Sequence, residues 1–230
     1  QAGRMGQKLM AIVAEGARGR IYLPPTPEQI AIAESAVPSW KPEMALPDNP
    51  RDFKTPNYGL TTYGDLFTPR QLVALTTFSD LVPEAIAQVR ADALAAGMPD
   101  DGHGLDAGGD GATAYAEAVG VYLGFAADKV ADRNSSLCAW ASLREHARNT
   151  FGRQALPMTW DFAESNPLSD SSGNFLGGIK SISDALYEVP AGANGSSGQG
   201  DAQSQTISQD KVISTDPPYY DNIGYADLSD

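Results

Sequence analysis

An acid, two prolines and an aromatic residue follow one another as Asp216-Pro217-Pro218-Tyr219. Val212 and Ile213 precede them, and this apolar pair predicts a short buried strand that stops in a turn. Neither proline has a backbone N–H, and Pro218 holds Pro217 in an extended conformation. A carboxylate and a fixed carbonyl, both acceptors, are therefore expected side by side at the carboxyl end of a strand, where open α/β sheets bind ligands.

Two adjacent acceptors suit chemistry on the exocyclic amine of a nucleobase. Such an amine is a weak nucleophile because its lone pair is delocalised into the ring, and accepting both of its N–H bonds favours the reactive pyramidal form. The amine can then attack the methyl group of a sulfonium donor in line. A base inside a duplex must first leave the stack, and Tyr219 is a flat ring on which it can rest. Because the motif contacts an amine and not a particular base, adenine, cytosine and RNA all stay open as targets.

The four residues resemble the Asp-Pro-Pro-Tyr motif of amino-methylating DNA methyltransferases, which use S-adenosylmethionine. Further segments resemble, in order, a group of large adenine-specific DNA methylases encoded near bacterial phage-defence genes; they are 57–72, 131–135, 149–162 and 216–230. The resemblance implies that Asp216 and the Pro217 carbonyl hold the adenine amine, that Pro218 fixes the backbone and that Tyr219 stacks on the flipped base. It also implies a role in restriction-modification or phage defence.

Two further segments are candidates for cofactor and nucleic-acid contacts, the first by resemblance and the second by its residue types. Phe67-Thr68-Pro69 resembles the Phe-x-Thr-Pro element that lies beside the methionine end of S-adenosylmethionine, although the intervening residue is missing. Around Arg148 to Phe162 the sequence is polar, aromatic and basic, which suits contact with nucleic acid through the charge of Arg153 and stacking by Trp160. Tyr220 is assigned to the same contact. A buried loop in which Arg153 pairs with Asp161 is the alternative.

Two other interpretations of the proline motif stay open. Pro217 to Tyr220 fits the Pro-Pro-x-Tyr ligand of WW domains, which requires an exposed polyproline segment. It also fits a plain structural turn. For the whole chain, the competing class is a non-catalytic helical scaffold or protein-interaction module of a defence complex.

Composition predicts a sizeable domain, but its acidic charge is unfavourable for binding DNA. Of the 230 residues, 42% are hydrophobic, while the net charge is −13. An acidic surface is poorly suited to gripping phosphates, so most cationic contacts to DNA would have to come from outside this chain. Cys138 is the only cysteine, and His103 and His146 are far apart, so neither a disulfide nor a zinc site is expected. No signal-like or long apolar run appears, which favours the cytoplasm.

The fold expected is α/β: a mainly helical block attached to part of a Rossmann-like methyltransferase sheet. It divides into an N-terminal helix and proline-rich arm (1–65), a helical block (66–189), a Gly/Ser-rich connection (190–209) and the motif strand with its catalytic loop (210–230). No glycine-rich cofactor loop follows a strand, and the first residue is Gln1. We therefore expect an internal fragment of a longer enzyme, inactive by itself.

Periodicity and capping residues predict the individual elements. Five prolines between 37 and 64 exclude long regular structure, and the aromatic residues among them favour an arm packed on another surface over a free linker. Gly- and Asp-rich residues 100–111 predict a surface loop. Helices are expected over 3–15, 27–36, from 69 onwards with a kink or restart at Pro83, around 119–130, over 137–150 and over 172–189, and a strand is expected over 20–23.

Overall fold

The computed structural model describes residues 5–153, 155–189, 198–201 and 203–216. Within these residues the chain is mixed α/β, with four α-helices and two small antiparallel sheets. The chain divides into two compact units, Gln1–Asp184 and Ala185–Asp230. The expected α/β class is confirmed at this coarse level, whereas the described sheets are two-stranded and antiparallel.

The N-terminal element is a β-hairpin and not the helix predicted over 3–15. Strand β1 (Ile12–Gly16) pairs antiparallel with β2 (Gly19–Leu23), and Gly16 lies opposite Gly19. The two glycines therefore flank a two-residue turn instead of ending a helix. The strand predicted over 20–23 is confirmed.

Helix α1 (Pro27–Glu34) begins where its capping residues predict. The Thr26 hydroxyl accepts a hydrogen bond from the Gln29 N–H at 3.2 Å, and the Gln29 side chain accepts one from the Thr26 N–H at 2.8 Å. This reciprocal pair satisfies two backbone donors that the first turn would otherwise leave unpaired.

The proline-rich arm packs on the first unit as expected. Leu46 pairs its N–H with the Thr61 carbonyl at 2.8 Å, and short 3-10 turns follow at Thr55–Tyr58 and Tyr63–Leu66. The Trp40 indole donates to Asp80 at 3.1 Å. Because Asp80 lies in the long helix that follows, this bond ties the start of the arm to that helix.

Helices α2 (Pro69–Ala95) and α3 (Ala112–Asp132) form the helical hairpin of the first unit. α2 runs without a break through Pro83, so the restart predicted there is wrong. Of the described helices, α2 alone is long and apolar enough to cross a bilayer by length and composition, which for a single helix is weak evidence.

The connection between these helices is the predicted loop, with one 3-10 turn at Leu105–Ala107. Asp100 anchors it by accepting the Thr113 N–H at 3.1 Å and the Arg90 guanidinium at 2.7 Å. Burial works to raise the pKa of Asp100, but the bonds from Thr113, Arg90 and the Gly102 N–H outweigh it and lower the pKa to about 2. The loop is thereby fixed to both helices at its start.

A second β-hairpin replaces the helix predicted over 137–150. Strands β3 (Trp140–Ala141) and β4 (His146–Ala147) pair antiparallel, and the turn between them places Glu145 at φ 50°. Leu143 lies fully exposed in that turn. A left-handed residue breaks the helical backbone, so the three-residue spacing of Trp140 and Leu143 is not helical.

The core of the first unit joins the arm to the residues after α3. We call its five buried members the core cluster: Leu46, Phe53, Leu66, Leu137 and Leu156. Phe53 and Leu156 also form an isolated parallel β-bridge. The packing of two segments so far apart in sequence explains why the proline-rich arm is ordered.

Helix α4 (Phe175–Glu188) confirms the predicted amphipathic helix. The Phe175 ring stacks on Phe78 of α2, with centroids 4.3 Å apart. In the second unit, described residues 198–216 form turns and contain no strand. The buried strand predicted at Val212 and Ile213 is therefore wrong, because both side chains are exposed and neither pairs with another described strand.

Candidate functional site

Leu66 of segment 57–72 lies in the core cluster together with Leu156 of segment 149–162. Leu66 is fully buried, and its carbonyl accepts hydrogen bonds from the Ser136 N–H at 2.8 Å and the Ser136 hydroxyl at 2.7 Å. This joins 57–72 to the residue that directly follows 131–135. Arg70 pairs with Glu164 at 2.6 Å, just beyond 149–162.

Phe67-Thr68-Pro69 forms the start of α2. The Thr68 hydroxyl accepts the Gln71 N–H at 3.2 Å, and the Gln71 side chain accepts the Thr68 N–H at 2.8 Å. Both side chains are buried, Phe67 is half-buried and Pro69 is exposed. The Thr68 hydroxyl is thus engaged in capping the helix, while the role of these residues toward a cofactor stays a prediction.

Gln71 and Asn134 each keep one buried polar atom without a hydrogen-bond partner among the described residues: Gln71 Nε2 and Asn134 Oδ1. Gln71 begins α2 and Asn134 follows α3, so both lie at the same end of the antiparallel helix pair. Unpaired buried polar atoms are uncommon and each costs free energy. This end of the helix pair is therefore polar inside, in contrast to the apolar core cluster beside it.

A buried polar cluster links 131–135 to 149–162. The Ser135 hydroxyl lies 2.8 Å from the Thr150 hydroxyl, which in turn lies 3.2 Å from Cys138 Sγ. Within the described part of the chain, no His, Asp or Glu side chain hydrogen-bonds to any of the three. A nucleophile needs an adjacent base or an exposed thiolate, so this cluster is structural.

Asp132 closes the link between the same two segments. Its carboxylate accepts the Phe151 N–H at 2.9 Å and a bond from the Asn149 amide, while its backbone carbonyl accepts the Thr150 N–H at 2.6 Å. The side chain therefore holds the 149–151 turn against the end of α3.

Asp65 organises the turn before Leu66. Its carboxylate accepts the Thr61 and Thr62 N–H groups, both at 3.0 Å, and the Lys41 ammonium at 2.9 Å. Burial works to raise the pKa of Asp65, but the bonds from Lys41 and the two N–H groups outweigh it and lower the pKa to about 2. Asp65 is thus an ionised structural acceptor.

Arg153 and Trp160 are both exposed. The Trp160 side chain is 65% exposed and meets the ring of Tyr58 edge to face, with centroids 5.3 Å apart. No ion pair joins Arg153 to Asp161, and both are exposed, so the buried-loop alternative is wrong. An open ring of this kind leaves surface on which a base can stack, and that role stays a prediction.

Asp216 is the last described residue of the second unit and is exposed. Pro217, Pro218, Tyr219 and Tyr220 lie outside the described residues. Within the first unit, Phe67 packs against the core cluster that includes Leu156, which lies between Arg153 and Trp160 in sequence. The roles assigned to 216–220 stay predictions.

Sequence reasoning missed a second group of charged and aromatic residues, on the two β-hairpins. Arg20 lies over the Trp140 ring at 5.7 Å, and Tyr22 meets the same ring edge to face at 6.4 Å. The Tyr22 hydroxyl donates to Glu145 at 3.2 Å. The available signal was charge: residues 133–160 carry four arginines and a single acid in an otherwise acidic chain.

A cavity of about 620 Å³ lies where α2 ends and α3 begins, lined mainly by apolar side chains that include Val89, Met98 and Tyr115. None of the predicted site residues lines it. Among the described residues, no group of three or more His, Cys, Asp or Glu side chains is placed to hold a metal ion.

Comparisons of the chain with protein-family models, curated proteins and solved structures give no match.

Proposed function

We propose that this chain forms part of a DNA methyltransferase that moves a methyl group from S-adenosylmethionine to the exocyclic amine of adenine. The observation that supports the proposal is the packing of three resembling segments within the first unit: 57–72 shares the core cluster with 149–162, and Asp132 of 131–135 bonds to Phe151, although about 60 residues separate the first segment from the second. Segments that resemble one family and also pack together are more informative than a four-residue motif alone. The setting proposed is cytoplasmic restriction-modification or phage defence.

The chemistry proposed for the motif follows from its acceptors. Asp216 and the Pro217 carbonyl accept the two N–H bonds of the amine, Pro218 fixes that carbonyl, and Tyr219 stacks on the flipped adenine. The amine nitrogen forms the new N–C bond as the C–S bond breaks with its electron pair going to sulfur, and the amine proton leaves to solvent. Asp216 acts as an ionised acceptor and not as a strong base.

The residues present supply only part of a cofactor site. S-adenosylmethionine brings the electrophilic methyl group, and Phe67 to Pro69 would line its methionine end. Thr68 is already committed to the helix cap, so the half-buried Phe67 ring and the adjoining backbone are the groups left for contact. Because the sequence has no glycine-rich loop after a strand, we expect this chain alone to be inactive.

The test uses the intact gene product, S-adenosylmethionine with a labelled methyl group, and duplex DNA. We expect label in adenine, and we expect Asp216→Ala to reduce incorporation at least 100-fold, since it removes one of two amine acceptors. Asp201→Ala is the matched control, because it removes another exposed acid from the same unit and leaves the motif intact. Incorporation that survives Asp216→Ala would exclude this mechanism.

The same assay identifies the target base. Parallel reactions on duplex DNA with labelled products separated by nucleoside, and on RNA, distinguish adenine from the cytosine amine and from RNA. Label found only in cytosine or RNA would correct the substrate while keeping the amine chemistry.

A non-catalytic module of a defence complex is the second candidate, and the exposed aromatic side chains on α3 favour it. Tyr115, Tyr122 and Phe125 are exposed on this helix, as expected where a partner protein packs. No incorporation by the intact protein, together with loss of complex formation in Tyr122→Ser/Phe125→Ser, would favour this module over the enzyme.

A further inference from the structure

The two β-hairpins of the first unit are joined through one aromatic side chain. Trp140 at the start of β3 is covered by the Arg20 guanidinium at 5.7 Å and by the Tyr22 ring at 6.4 Å. The Tyr22 hydroxyl reaches Glu145 in the turn of the second hairpin. We call the surface formed by residues 12–23 and 140–148 the paired hairpins.

Arginines surround this joint. Arg18 lies in the turn of the first hairpin and Arg144 in the turn of the second, directly before Glu145. Arg148 follows β4, and its N–H donates to the Ala139 carbonyl at 2.9 Å, which places it beside Trp140. The side chains of Arg18, Arg144 and Arg148 are all exposed.

These three arginines form no ion pair within the described part of the chain, although acids outnumber bases 29 to 16 in the sequence. Elsewhere some arginines do form ion pairs, as Arg70 does with Glu164 at 2.6 Å and Arg90 with Asp100 at 2.7 Å. The acids of the paired hairpins are Glu15, opposite Arg20, and Glu145, which accepts the Tyr22 hydroxyl. The paired hairpins thus carry a local excess of free cations on an acidic protein.

From this arrangement we propose that the paired hairpins bind the phosphate backbone of duplex DNA. The inference rests on the proposed function, because it assigns DNA contacts that the sequence had placed outside this chain. Exposed arginines at protruding turns can reach phosphates without a pocket, and such contacts position a duplex without reading its sequence. An acidic protein partner is the weaker fit, since protein interfaces centre on an open apolar or aromatic anchor and Trp140 is already covered.

The experiment measures binding of this chain to a labelled duplex of about 30 base pairs by fluorescence anisotropy, at salt from about 50 to about 200 mM. We expect binding that weakens steeply with salt. Arg18→Gln/Arg144→Gln/Arg148→Gln should lower affinity at least about 10-fold at the lowest salt and reduce the logarithmic salt slope by about 2 to 3.

Two variants make the result specific. Arg51→Gln/Lys129→Gln/Lys211→Gln removes the same charge from exposed positions elsewhere, and its affinity should stay within about 2-fold of the unmodified chain. Arg→Lys at positions 18, 144 and 148 should keep most of the affinity, because a phosphate contact needs the charge more than the shape. Circular dichroism checks that each variant is folded.

Three outcomes overturn the proposal: no salt-dependent binding of the unmodified chain at about 50 mM salt, an equal loss in the control variant, or equal binding of polyglutamate. The last would indicate an acidic protein partner. Because the assay needs neither cofactor nor methyl transfer, DNA binding without methylation by the intact protein removes the proposed enzyme but keeps this surface. Methylation by the triple glutamine variant, with a DNA affinity unchanged from the unmodified chain, removes this surface and keeps the proposed enzyme.

Discussion

The polar residues around the core cluster and those on the paired hairpins differ in whether they are occupied by contacts within the fold. Around Leu66, the side chains of Asp65, Thr68 and Asp132 each accept hydrogen bonds from backbone N–H groups, so they hold turns and helix ends. On the paired hairpins, Arg18 and Arg144 are exposed and unpaired among the described residues. Polar side chains near Leu66 are therefore occupied within the fold, whereas the paired hairpins present arginines that form no ion pair among the described residues.

The largest expected effect comes from the core cluster. Leu66→Ala should lower the free energy of unfolding by about 2 to 5 kcal/mol, because the side chain is fully buried. Leu168→Ala, at an exposed position, should change it by less than about 0.5 kcal/mol. Urea unfolding measures both, and similar values for the two would show that Leu66 is not at the centre of this core.

Two glycines should respond with opposite signs. A Cβ at Gly64 would lie 2.4 Å from the Pro42 carbonyl oxygen, so Gly64→Ala should destabilise by about 1 to 3 kcal/mol. At Gly124 in α3 a Cβ has open space, so Gly124→Ala should stabilise by about 0.5 to 1 kcal/mol. Thermal unfolding of both variants gives the sign directly, and a neutral Gly64→Ala would mean that the arm is loosely held.

The pH dependence of stability tests the turn held by Asp65. Its folded pKa of about 2 lies below the ordinary value of 3.8, so the carboxylate stabilises the fold fully above pH 3.8 and less as pH falls through 2. Asp65→Asn should therefore cost about 1 kcal/mol near neutral pH and progressively less below about pH 4. In a Lys41→Met background the cost should be smaller, and a pH-independent difference would contradict the assignment.

The smallest effect is expected on the paired hairpins. Tyr22→Phe removes only the exposed bond to Glu145 and should change the free energy of unfolding by less than about 0.5 kcal/mol. If chemical denaturation instead shows a loss above about 1 kcal/mol, the paired hairpins belong to the structural class with the core cluster.

The features that the sequence predicted are those that depend on residues close together in the chain. Thr26 and Thr68, each with a glutamine three residues later, fixed the starts of α1 and α2 because a capping box depends on neighbouring residues only. In the paired hairpins the strand over 20–23 was predicted, but its pairing and the second hairpin were not, because Tyr22 and Trp140, which join the two hairpins, are more than a hundred residues apart in sequence. Val212 and Ile213 failed for a related reason: strand propensity depends on a partner strand, and the described residues provide none.

The site was predictable to a similar extent. Composition singled out Arg153 and Trp160 but left open whether they lie at the surface or in a buried loop, and the structure shows both exposed. The threonine and glutamine three residues apart predicted the helix cap at Thr68. The sequence could not show how the Phe67 ring packs, because Phe67 lies against a core cluster that includes the distant Leu156. Composition and spacing also could not predict that Arg18 and Arg148 lie on one surface, because the contacts at Trp140 that join the two hairpins are tertiary.

The bridge between Phe53 and Leu156 has a consequence for biosynthesis. The two residues are separated by about 100 others, so at ribosomal speeds of about 5 to 20 residues per second the arm is made roughly 5 to 20 seconds before its partner. During that interval Leu46 and Phe53 lack the Leu137 and Leu156 side chains that complete the core cluster. The nascent arm is therefore the stretch that a chaperone acting on the ribosome would be expected to hold.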